Sequence, residues 1–189
     1  MRLTSRETWG LIHGLLLGTF FLLAFAGGLA ELYGLRTRWE TDEGIASSVR
    51  RLTAGFWVMA VAAWLTVITG TWIVYPWYRE VLAGKDGAGC AGAKIPIPGK
   101  CSPKDFLTSN VSGDTNTWHT FGMEWKEHIA WLAPMFATTA AFIVAYYGIK
   151  LARQGRVRRL AITLFVAAFT TAAVAGLLGA LLTKVAPVK

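Results

Sequence analysis

Charge is scarce in this sequence. Only 16% of its 189 residues are Asp, Glu, Lys or Arg, against about 25% in a soluble globular domain, whose surface needs them. A soluble enzyme is therefore a poor fit. Hydrophobic residues make up 54% and the mean hydropathy is +0.44, which also excludes a disordered chain. Cysteine is almost missing: two residues cannot supply a disulfide-rich scaffold or a four-thiolate cluster. No phosphate-binding glycine loop, serine elbow or zinc signature occurs. The formal charge of +8 does not gather on one face. Loop Lys and Arg of a membrane protein account for it, so no nucleic-acid partner is expected.

What the chain does have is long apolar runs. Four are long enough to cross a hydrocarbon core, which takes about 20 helical residues. They cover about 9–34, 53–77, 127–149 and 160–183. Apart from Glu31 and Glu127 near their ends, they contain no Asp, Glu, Lys or Arg. The runs are continuous instead of alternating every second residue, so helices are predicted, not a β-barrel. The fold class is all-α integral membrane: a four-transmembrane-helix bundle with one long loop, 79–126, between the second and third spans. The first run could pass for a signal peptide, with Arg2 and Arg6 ahead of it. Its length and its histidine favour an uncleaved helix.

Orientation follows from loop charge. With four spans, both termini and the 79–126 loop share one side, holding ten Lys/Arg in about 62 residues; the other side holds nine in about 28. Density close to the spans decides topology. Arg36, Arg38, Arg50, Arg51, Lys150, Arg153, Arg156, Arg158 and Arg159 are therefore expected in the cytoplasm. The termini and the long loop are expected outside, with the protein integral to a bacterial inner or cell membrane. Cys90 and Cys101 fall in that loop with ten residues between them. A disulfide there suits an oxidising compartment and would add roughly 2–4 kcal/mol; two free thiols are the alternative.

Three histidines are present: His13, His119 and His128. His13 lies about one turn inside the first span and His128 at the head of the third, at matching depth on the outer side. An intramembrane imidazole is costly unless it is paired, hydrated or coordinated, which makes it a functional candidate. Two facing imidazoles at one depth are what six-coordinate haem iron needs in a helical bundle. Gly10, Gly14 and Gly18 form a GxxxGxxxG ladder beside His13. The ladder would let a porphyrin approach, or another helix. Haem propionates would need Arg2, Arg6, Arg79 or Lys126. Two other readings stand beside this one: a packed or hydrogen-bonded histidine pair, and a carboxylate–histidine metal site from Glu124 and His128, with Glu127 and His119 nearby. Glu124 and Glu127 also suit the positive end of a helix dipole without any metal. Trp118, Phe121, Trp125, Trp131, Trp72, Tyr75, Trp77 and Tyr78 form an outer aromatic belt, and the same rings could serve a quinone.

With histidines on its first and third spans, the chain resembles a small four-helix membrane b-type cytochrome. The resemblance implies one haem b between His13 and His128, with Gly10 and Gly14 as contacts. It implies a subunit of a respiratory or photosynthetic electron-transfer complex, relaying electrons between a quinone and an extracytoplasmic cytochrome. Such cytochromes often carry histidines at both membrane faces; here none lies near the arginine-rich side, which argues against a second haem. The alternative is a cofactor-free accessory subunit packing against larger membrane chains of such a complex.

Overall fold

The computed structural model describes residues 3–35, 41–80, 90, 101–109 and 115–187. Among them there are helices and no strands. Four helices are long and apolar enough to cross a membrane: Ser5–Gly34, Asp42–Tyr78, Trp118–Tyr147 and Gly155–Val185. Each contains the run expected from the sequence, apart from 148–149 at the end of the third, and reaches beyond it because polar residues cap and extend it. Thr4 starts the first helix through a capping box with Glu7. Thr41 caps the second, accepting from the Gly44 N–H, with Asp42 and Glu43 in its first turn.

The largest difference is in the third helix, which begins at Trp118 instead of 127. Residues 118–126 were expected in the loop because Glu124, Lys126 and His119 interrupt the apolar pattern. They are helical because those polar groups find partners inside the protein. The regular hydrogen bonding of this helix breaks at Trp131, in the turn that Pro134 leaves without a donor. At Gly148 the backbone turns to a φ of 50° and the helix stops.

The main packing runs first on second, second on third, third on fourth and fourth on first, so the first and third helices face each other across a diagonal. Neighbours are antiparallel. Arg6 near the start of the first helix pairs with Glu80 beyond the end of the second at 2.7 Å. At the opposite end Arg158 donates to the Leu35 carbonyl at 2.8 Å. The bundle therefore has an arginine-rich end and a loop-side end, where the first and third helices begin.

Two cores fill these ends. Toward the arginine-rich end Phe21, Leu32, Phe56, Phe165 and the alanines at 137, 140, 141, 161 and 168 pack together. The loop-side core contains Cys90, Cys101, Phe106, Leu107, Met123, Leu182 and Ala186. Cys90 and Cys101 form a disulfide with their Cα atoms 5.2 Å apart. The short helix Pro103–Thr108, capped by Ser102, brings Phe106 and Leu107 down beside it. Within the 79–126 loop, 81–89, 91–100 and 110–114 lie outside the described residues, as do Arg2, Arg36 and Arg38.

Candidate functional site

Polar side chains inside the bundle concentrate at the loop-side end. Among the described residues three π-helical segments occur there: Leu11–Gly18, Gly70–Val74 and Trp118–Met123. Each leaves backbone groups out of α-helical register, and such segments are frequent at functional sites. Between them they carry His13, Gly70 and His119.

His13 is partly buried and turned toward the second helix. Its Nδ1 lies 3.3 Å from Thr69 Oγ1. The Thr69 hydroxyl already donates to the Leu65 carbonyl at 2.7 Å, so toward His13 it accepts. Nδ1 therefore carries the proton, and Nε2 keeps its lone pair. The ring sits on Gly70, where a Cβ would come within 2.6 Å of His13 Cε1. Only glycine fits that seat. Replacing Gly70 with Val is expected to displace the imidazole and cost about 1–3 kcal/mol. Gly27→Val, at a position with nothing within 4 Å of a Cβ, serves as the control. Thermal unfolding in detergent compares them, and equal melting would show that the seat is not tight.

His128 sits differently. It is exposed, and its Nδ1 lies 2.6 Å from the backbone carbonyl of Glu124. A carbonyl only accepts, so here too Nδ1 is the protonated nitrogen. The residues that line the inner face of the third helix are Met123, Lys126, Glu127, Ala133, Pro134 and Ala137. His128, two positions after Lys126, projects to the other side because two helical steps are about 200°. The expected facing pair of His13 and His128 is therefore not assembled. His13 has the inward aim and anchored Nδ1 of a haem ligand, whereas His128 has the anchored Nδ1 without the inward aim. Gly10 and Gly14 meet nothing within 4 Å of where a Cβ would stand.

Lys126 occupies the interior instead. Its Cε comes within 3.0 Å of where a Gly179 Cβ would stand, so the side chain lies along the fourth helix. Its charge acts on both His13 and Glu127. Glu127 in turn interacts electrostatically with Tyr75, Tyr78, His119 and Lys126. Its Oε1 is buried with no hydrogen-bond partner among the described residues. Nearer the surface, His119 Nδ1 lies 2.8 Å from the Tyr78 hydroxyl, and its Nε2 is 3.9 Å from Glu124 Oε1. The His119 tautomer sets which of the two, Tyr78 or Nδ1, donates in that bond. Arg79 donates to the Tyr75 hydroxyl at 3.1 Å. Tyr75, Tyr78 and the Glu127 carboxylate thus link the surface groups to the interior ones.

The carboxylate–histidine metal site read from Glu124 and His128 is not formed, since His128 takes the backbone oxygen and the Glu124 carboxylate turns to His119. Among the described residues no group of three or more His, Cys, Asp or Glu is placed to hold a metal ion. From the sequence, Lys126 was expected at the outer surface and Glu127 at the head of the third span, beside a metal site or the helix dipole. The signal for their burial was the inner stripe at 123, 126/127, 130, 133/134 and 137, which continues upward in helical register from the buried alanines. Compared with protein-family models, curated proteins and solved structures, the chain matches none of them.

Proposed function

We propose that this chain is an accessory membrane subunit that packs against larger membrane chains of an electron-transfer complex. The observation that carries this reading is the unused glycine pair on the first helix. Gly70, Gly122 and Gly179 each have a side chain against them that a Cβ would crowd, whereas Gly10 and Gly14 have nothing. A helix-interior glycine costs about 1 kcal/mol relative to alanine, and nothing among the described residues offsets it at these two positions. A transmembrane helix of another chain, approaching along that strip, would. The same helix has the most free surface: 11% of its most apolar stretch is buried, against 44% for the second helix. Gly14→Leu is expected to release the chain from its partners on mild detergent extraction, seen as a lower mass in native gels. Its own unfolding temperature should not fall. An unaltered complex mass would refute the reading.

A second reading has a specific observation in its favour. Both His13 and His128 have Nδ1 engaged as a donor, leaving Nε2 able to bind iron. One haem b held by these two residues near the loop-side end would make the chain an electron relay between a quinone and an extracytoplasmic cytochrome. It requires His128 to turn to the bundle axis. An absorption spectrum of the purified protein decides: a low-spin haem band lost in both His13→Ala and His128→Ala, and kept in His119→Ala, would establish it. A preparation without haem would leave the accessory reading alone.

A further inference from the structure

At the arginine-rich end, a cavity of about 160 Å³ opens between the first and second helices. Leu52, Phe56 and Met59 form its buried floor, and the exposed Phe20 and Val58 form its rim. Glu31 and Arg51 close one end as an ion pair of 3.2 Å. Arg51 also donates to Ser47 and Ser48, at 3.0 and 3.3 Å, yet its side chain remains 65% exposed. The guanidinium is thus fixed in place while still facing outward, and Arg50 is exposed beside it.

We infer that this groove holds one anionic phospholipid, with an acyl chain along the apolar floor and the phosphate on Arg51. Three features support that occupant. From Glu31 to Phe20 the groove follows eleven residues of helix, about 16 Å at 1.5 Å per residue. That is close to half of a hydrocarbon core of about 30 Å, the depth of one leaflet. The polar end coincides with the end of the spanning helix at Gly34, where a headgroup would lie. Charge favours an anion: Arg50, Arg51, Lys150, Arg153, Arg156, Arg158 and Arg159 outnumber Glu31, Asp42 and Glu43 at this end. Basic sites between transmembrane helices are suited to such headgroups. Gly55 adds a fourth feature. It lines the groove and has nothing within 4 Å of a Cβ, so it keeps open a space that no side chain of the described protein fills.

The test is native mass spectrometry of the full chain, extracted from vesicles of equal phosphatidylglycerol and phosphatidylcholine. The wild-type protein should retain one phosphatidylglycerol, preferred by about fivefold over phosphatidylcholine. Arg51→Gln, a surface change that leaves the fold intact, should bring that ratio near unity. Gly55→Leu should displace the acyl chain and remove both lipids, while Gly27→Leu should retain them as wild type does. Helical circular dichroism confirms that each variant is folded. Retention unchanged in Gly55→Leu, or a preference unchanged in Arg51→Gln, would overturn the assignment. So would recovery of a lipid-free dimer, which would make a second copy of the chain the occupant.

Discussion

Phe165→Ala is expected to destabilise the bundle by about 3–5 kcal/mol. Phe165 is fully buried at the middle of the arginine-rich core. Its ring stacks on Phe56 at 4.2 Å and meets Phe25 at 4.9 Å. It also lies 3.1 Å from where a Gly28 Cβ would stand. One side chain of the fourth helix thus holds the first and second helices together. Within a bilayer, moving apolar surface from lipid to protein gains little, so helices associate through close packing. Deleting the ring forfeits that packing and leaves a cavity too enclosed to collapse fully. Phe142→Ala is the comparison: that ring is 59% exposed and meets Trp57 edge-on at 4.8 Å, so its loss should cost below about 1 kcal/mol. Titrating micelle-bound protein with SDS and following helicity measures both. Equal losses would show that the Phe25–Phe56–Phe165 stack does not hold the bundle.

The sequence made the arginine-rich half easy to read and the loop-side half hard. In the first case apolar runs, alanines at helical spacing and flanking arginines all agree, so the helices and their approximate extents follow from length and hydropathy. At the loop-side end the same rules mislead, because His119, Glu124 and Lys126 look like loop residues and are helical. The polarity of His119 and Glu124 is met in part by Tyr78 on the second helix, which is distant in sequence. No spacing rule along one chain segment reveals such a match. The directions in which the two histidines face were hidden for a related reason. Depth can be counted from a span's edge, but which way a residue faces depends on helix rotation. That rotation is fixed by Met123, Lys126 and Ala133 packing inward, not by His128. The glycines carry a third lesson. Gly70 and Gly179 are explained by His13 and Lys126 lying across them, contacts that only the folded bundle reveals.

Opening the Cys90–Cys101 bridge is expected to cost about 2–4 kcal/mol. Both sulfurs are buried among Phe106, Leu107, Met123, Leu182 and Ala186, so the bridge pins part of the long loop against the ends of the third and fourth helices. Without it the loop regains conformational freedom in the unfolded chain, and Met123 and Leu182 lose their cover. The Cys90→Ala/Cys101→Ala double variant removes the bridge without burying a new hydroxyl, which separates the crosslink from a polarity effect. Reductant should lower the wild-type melting temperature to that of the double variant and leave the variant unmoved. A wild-type protein indifferent to reductant would show that the bridge contributes nothing. The same cysteines report which side of the membrane the loop occupies. An impermeant maleimide added to intact cells should label neither cysteine before reduction and both afterwards, as expected of an oxidised pair outside the cytoplasm. Labelling of both without reductant would disprove the bridge. Labelling that needs the membrane permeabilised would place the loop in the cytoplasm, and the arginine-rich end would then lie outside, against the charge-density rule that predicted it inside.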